Sequence, residues 1–139
     1  MSTSATISYE RPDGKIRSIY CHWDGYIEGV GKTLIEHYNG SNLDALMDLG
    51  DLSILGNTPK SDAKGWDISA PCDDDYCLSY RDRGETGTDA VEYADFNEFK
   101  EKAYLQDYNY LYCYNTWYVF QDSVDNALPL ADELRRISK

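Results

Sequence analysis

The sequence predicts an α+β domain: an antiparallel sheet with helices packed on it, in the order ββααβ(α)ββα. Three observations carry this. Residues 5–21 alternate apolar and polar around a turn, residues 30–49 repeat leucines at helical spacing, and residues 108–121 are dense in strand formers. With 139 residues the chain can bury a core without disulfide staples, and one domain spanning 1–139 is expected.

ATISYE (5–10) and KIRSIYC (15–21) read as strands, with Pro12, Asp13 and Gly14 as the hairpin turn between them. A loop follows over His22–Gly29. Val30, Leu34, Ile35 and Tyr38 then define a helix of two to three turns, which Asn39-Gly40 ends. Ser41 or Asn42 can cap a second helix carrying Leu43, Leu46, Met47 and Leu49. Residues 51–71 read as loop, punctuated by Gly56-Asn57, Pro59, Gly65 and Pro71. CLSYR (77–81) is a strand, and RGETGTD (83–89) holds too much Gly and Thr for a helix. Residues 95–105 place Phe96, Phe99, Ala103 and Tyr104 on one helical face. YNYLYCYNTWYVFQ (108–121) reads as a hairpin turning at Asn115-Thr116. Pro129 suits the first position of a terminal helix whose Leu130, Leu134 and Ile137 face inward, with Arg135, Arg136 and Lys139 at its negative end.

The net charge is −12, and residues 73–101 hold ten acidic side chains against Arg81, Arg83 and Lys100. A field of that sign repels phosphate backbones, so direct nucleic-acid binding is disfavoured and a basic protein partner is favoured. Asp73, Asp74, Asp75, Glu85, Asp89, Glu92, Asp95 and Glu98 are the candidate partner-binding residues. Asp82, Glu85, Asp89, Glu92, Asp95, Glu98 and Glu101 recur every three or four positions, a line of carboxylates able to imitate a DNA backbone for a basic groove; a merely solvated face is the competing reading. Thirteen tyrosines offer either recognition area or half-buried strand positions, and the 108–121 hairpin is a candidate contact between subunits.

Four cysteines in a domain of this size declare no disulfide framework, the first residues contain no secretory apolar core, and no run is long enough to span a bilayer. A reduced, cytoplasmic setting is expected. Gly31-Lys32-Thr33 opens a helix, but the glycine a phosphate loop needs five positions before Gly31 is replaced by Tyr26. Cys21, His22, His37, Cys72, Cys77 and Cys113 lack the paired spacing of structural zinc, so neither metal nor cofactor is expected. His22 beside Asp24 supplies a base and an acid, yet nucleophile, base and orienter usually converge from separate elements. No catalytic residue is therefore assigned. If a small-molecule pocket or enzyme site exists, His22, Asp24 and Tyr26 of the first loop and Arg81, Asp82 and Arg83 of the second are its candidates. The competing reading makes the second segment a buried ion network that fixes the first loop, with Trp23 plugging the core and the glycines chosen for positive φ.

Three stretches occur in order: Tyr20-Cys21-His22-Trp23-Asp24-Gly25-Tyr26 with Glu28-Gly29-Val30-Gly31, Leu49-Gly50-Asp51-Leu52-Ser53, and Tyr80-Arg81-Asp82-Arg83-Gly84-Glu85. Together with the Tyr/Trp-rich hairpin they resemble a group of small uncharacterised proteins encoded by bacteriophages and prophages. The resemblance implies a mobile-element setting. The expected function is that of an acidic accessory protein that inhibits a host defence system, of anti-CRISPR type, by covering a basic nucleic-acid-handling surface.

Overall fold

A computed structural model describes residues 3–61 and 75–137. The N-terminal hairpin forms as expected from β1 (Ala5–Glu10) and β2 (Ile16–Cys21), paired antiparallel from Ala5 opposite Cys21 to Glu10 opposite Ile16. The chain then makes one π-helical turn over Ile27–Gly31 that runs directly into α1 (Lys32–His37), followed by α2 (Leu43–Asp48). Asn42 joins the two helices: its Nδ2 donates to the His37 carbonyl at 2.8 Å and its Oδ1 accepts from the Asn39 N–H at 2.9 Å.

Downstream lie β3 (Leu52–Ile54), β4 (Thr58–Ser61), β5 (Tyr76–Ser79), a 3₁₀ turn at Tyr80–Arg83, β6 (Val91–Tyr93) and α3 (Phe96–Lys102). The C-terminal part contains β7 (Tyr108–Cys113), β8 (Thr116–Phe120), β9 (Leu128–Pro129) and α4 (Leu130–Ile137). Among the described residues nine strands join in the order β4-β5-β3-β2-β1-β7-β8-β9, with β6 also on β2.

The sheet is mixed, not antiparallel. β1 runs parallel to β7, β2 to β3, and β4 to β5. The helices explain the second of these: π-turn, α1 and α2 together form a crossover, which lets the chain return beside β2 in the same direction. The element order also contains strands that the sequence reading leaves as loop. β3 and β6 have three residues each, too few to display alternation. β4 and β9 each contain a proline, which a strand tolerates at a sheet edge, and both close the sheet. Pro129 thus ends a strand, and α4 starts one residue later. The second hairpin turns at Tyr114-Asn115, both with positive φ, because Cys113 pairs with Thr116 and leaves a two-residue loop.

Alternation along the strands divides the core between two faces. Ala5, Ile7 and Tyr9 of β1 and Tyr110 and Tyr112 of β7 pack against Val30, Leu34, Leu43, Leu46, Met47 and Leu130 of the helical layer. On the other face Ile16, Leu111 and Phe120 meet Tyr93 and Phe99, so α3 covers this side. Polar side chains buried there are paired: Thr6 with Asn109 at 2.9 Å, and Ser8 with Ser18 at 2.6 Å. Five of the thirteen tyrosines (Tyr9, Tyr38, Tyr93, Tyr110, Tyr112) are buried, five are half-buried and Tyr26, Tyr76 and Tyr114 are exposed, so more tyrosines build the core than stand free on the surface. The Tyr-rich hairpin offers one fully presented ring, Tyr114, at its tip.

Cys21, Cys77 and Cys113 are free thiols. Burial pushes the Cys21 thiol up to about 12, and burial also raises Cys77, which accepts from the Gly56 N–H at 3.2 Å and donates to the Thr58 carbonyl at 3.4 Å. The thiolate is the reactive form. Iodoacetamide at neutral pH, followed by peptide mapping, should therefore leave Cys21 and Cys77 unmodified in the folded protein and label both once denaturant is added.

Candidate binding surfaces

The first loop extends the β2–β3 ladder: the His22 N–H donates to the Leu52 carbonyl and the Trp23 N–H to the Ser53 carbonyl, each at 3.0 Å. Asp24 then takes φ 60°, and its carbonyl accepts from the Val30 N–H at 2.8 Å, which closes the loop onto the π-turn. The neighbouring glycines serve close approach, not positive φ. A Cβ on Gly29 would sit 2.3 Å from the Asp24 carbonyl oxygen, and one on Gly25 would sit 2.7 Å from the Ser4 backbone. The buried Tyr110 hydroxyl fixes the same loop from below by donating to the Gly25 carbonyl at 2.7 Å. Gly29 and Gly31 lie inside the helical turn, so no phosphate-cradling loop precedes the helix.

Trp23 does not plug the core. It is 44% exposed and rests edge-on against His22, with ring centroids 4.8 Å apart. His22 turns to the face opposite the buried Cys21, where its Nδ1 shares a 2.6 Å hydrogen bond with the Tyr20 hydroxyl. Asp24 and Tyr26 are exposed and meet each other, the Tyr26 hydroxyl donating to Asp24 Oδ1 at 3.4 Å.

The second segment is fixed by its own contacts. Ser79 caps the 3₁₀ turn by accepting from the Arg81 N–H, while its hydroxyl donates to the Leu49 carbonyl at 2.8 Å. Arg81 donates to the Asp48 carbonyl at 2.6 Å, at the end of α2, and its other guanidinium nitrogen lies 3.9 Å from Asp89. Arg83 pairs with Glu85, Nε to Oε2 at 2.8 Å, and lies over the Tyr80 ring at 5.4 Å. These pairs are exposed, so they form a surface lattice and not a buried ion network; each is worth about 0–1 kcal/mol.

The six candidate pocket residues therefore fall into separate groups: His22 with Tyr20, Asp24 with Tyr26, Arg81 on α2, and Arg83 on Glu85, with Asp82 exposed. The two segments do meet, but through other residues. The Asp51 carboxylate accepts from the Tyr20 N–H at 2.9 Å, its carbonyl accepts from the Tyr80 N–H at 3.2 Å, and its N–H donates to the Thr88 carbonyl at 2.7 Å. The Tyr80 hydroxyl shares a hydrogen bond with the Ser53 side chain, and Tyr80 is close enough to add to the effect of burial in disfavouring ionisation of Tyr20. Tyr20, Asp51 with Ser53, and Tyr80 come from the three motif stretches in turn. Their occurrence in all three is the sequence signal that could have nominated them.

The acidic residues are used unevenly. Asp73 and Asp74, like Cys72, lie outside the described residues. Asp75 is exposed, and its carbonyl accepts from the Thr58 N–H. Asp95 caps α3 by accepting from the Glu98 N–H at 2.8 Å, and Glu98 reaches back to the Ala94 N–H at 3.1 Å, a reciprocal cap. Glu85 is held by Arg83. Asp82, Asp89 and Glu92 stand exposed on the 80–90 turn and β6. A cleft of 350 Å³ opens elsewhere, between the end of α1, the β7–β8 turn and the start of α4, with Trp117 and Tyr112 in its lining. Among the described residues no three of His, Cys, Asp and Glu converge as metal ligands, and no helix is long and apolar enough to cross a membrane.

No protein-family model, curated protein or solved structure matches the chain.

Burial raises the Asp51 carboxyl above its ordinary value; the Tyr20 N–H opposes this and the Asp89 charge adds to it. The folded protein thus holds the Asp51 proton more tightly than the unfolded chain. Its contribution to stability is greatest below the ordinary carboxyl range and is lost as pH rises through the raised folded value. Asp51→Asn keeps an acceptor for Tyr20 without the buried charge, and should be neutral or stabilising at neutral pH. That advantage should shrink on acidification. Asp51→Ala strands the Tyr20 N–H and should cost about 1–3 kcal/mol. Urea unfolding of the three proteins across the acid-to-neutral range checks both signs.

Proposed function

We propose that the chain is a mobile-element accessory protein of the bacterial cytoplasm that inhibits a host defence component, in the manner of an anti-CRISPR, by covering a basic surface that normally handles nucleic acid. The observation that supports this reading is the exposed trio Asp82, Asp89 and Glu92. Asp82 and Asp89 are carried on a turn that Arg81 anchors to the end of α2 and that the Asp51 N–H anchors at Thr88, and Glu92 on β6, which pairs with β2. Carboxylates held on an anchored turn lose little freedom on binding, so their charge is available for complementarity and for fast association. The capped pair Asp95 and Glu98 extends the same negative field while keeping its structural work. A net charge of −12 adds long-range steering toward a basic partner and away from nucleic acid itself.

Immobilised protein should capture a basic host protein at low salt and release it as salt screens the contact. The triple variant Asp82→Asn, Asp89→Asn, Glu92→Gln, with an unchanged circular dichroism spectrum, should bind about tenfold more weakly, at about 0.5 kcal/mol for each exposed charge. Capture that ignores both salt and the triple variant would refute the reading.

A further inference from the structure

We propose that the cleft between α1, the β7–β8 turn and α4 binds an organic cation: a guanidinium or alkylammonium group on an apolar stem. Its 350 Å³ is within the range of small-ligand sites. Two of the aromatic residues that line it have their polar side-chain atoms engaged by backbone carbonyls. Trp117 spends its indole N–H on the Tyr38 carbonyl at 3.0 Å, and the Tyr38 hydroxyl donates to the Gly56 carbonyl at 2.8 Å. Tyr112 packs edge-on against Trp117 with centroids 5.1 Å apart. These rings are buried, so they give the cleft only a small apolar wall for an alkyl stem, beside polar groups of the same lining.

Charge decides the sign of the ligand. The helical run from Ile27 to His37 ends at the cleft, and α4 begins on its other side. These ends carry about half a charge each, of opposite sign, and largely offset one another. Asp132 and Glu133 in the first turn of α4 further reduce the attraction of that end for an anion. The exposed Glu36 carboxylate is then the acidic group on the wall, the His37 imidazole lies beside it in the lining, and among the described residues no lysine or arginine lines the cleft. Asn115 and Thr116, at the rim, offer side-chain acceptors for the N–H groups of the cation. The site is independent of the acidic turn, since β7 to β9 lie on the far side of β1 from β2, β3 and β6.

Titration followed by amide and indole NMR shifts tests it, with n-butylguanidinium as the cation, n-butylurea as its neutral isostere, and a blocked glycyl-arginyl-glycine amide as the peptide source. Butylguanidinium should shift the Trp117 indole and Thr116 amide signals and bind more tightly than butylurea, by up to about fivefold. Glu36→Gln, an exposed position whose fold is checked by circular dichroism, should remove that preference and leave butylurea unchanged. Peptide binding at the same signals would assign the cation to a protein side chain; exclusion of the peptide while butylguanidinium binds would assign it to a free small molecule. Equal binding of cation and urea, no response of either reporter to the cation, or a preference that survives Glu36→Gln would overturn the proposal. The Asp82/Asp89/Glu92 variant should retain cation binding, so failure of the acidic-face reading and failure of this one give different results.

Discussion

The rest of the architecture depends on where Asp51 puts its three backbone and side-chain groups. Its carboxylate completes the last part of β2 at Tyr20, its carbonyl receives Tyr80, and its N–H receives the chain at Thr88. One residue after the crossover helices therefore fixes the start of β3, the 3₁₀ turn and the approach to β6. Gly50, at φ 75°, makes the placement possible: a Cβ there would lie 2.3 Å from the Thr88 carbonyl oxygen. A half-buried carboxylate is a costly way to satisfy a single N–H, and its charge is disfavoured by burial. Joining three segments with one side chain and its backbone is what the arrangement gains in return.

Much of the fold was legible because it is written in period. The 5–21 hairpin, the paired helices and the 108–121 hairpin bury most of the residues that their spacing selects. By contrast, α3 buries Phe99 but leaves Phe96 exposed and ends before Ala103 and Tyr104, and α4 buries Leu130 with Leu134 and Ile137 half-buried. The short strands were not legible, for a physical reason. LSI and VEY have too few residues to show alternation, and their pairing is set by what lies beside them. Strand direction was hidden as well, since alternation is identical in parallel and antiparallel pairs. The two helices between β2 and β3 were the available clue to a parallel return.

The residues nominated for a site are spread over separate contacts. The loop residues with the most reactive chemistry, His22, Asp24, Arg81 and Arg83, are each engaged locally. The contact between the loops is made by Tyr20, Asp51, Ser53 and Tyr80, which look unremarkable in composition because two of their hydrogen bonds use backbone groups. The acidic run shows the converse. It reads as one stripe, yet Asp95 and Glu98 cap a helix while Asp82, Asp89 and Glu92 face solvent. Spacing alone cannot separate a capping carboxylate from a solvated one; the hydrogen-bond partner does.

The same distinction bears on the dense segment from Cys21 to Gly31. Its side chains would suit a catalytic cluster, but its geometry is that of a joint. Two backbone bonds extend β2 along β3, Asp24 turns the chain with a left-handed φ, and Gly25 and Gly29 let strand and helix approach where a Cβ would collide. A joint with this little clearance restricts which residues it can contain, whatever the surface beside it binds. Strong sequence character here is therefore the mark of a tightly packed turn. It leaves the surfaces with looser constraints, the 80–92 turn and the α1–α4 cleft, as the places where binding chemistry can vary without unmaking the fold.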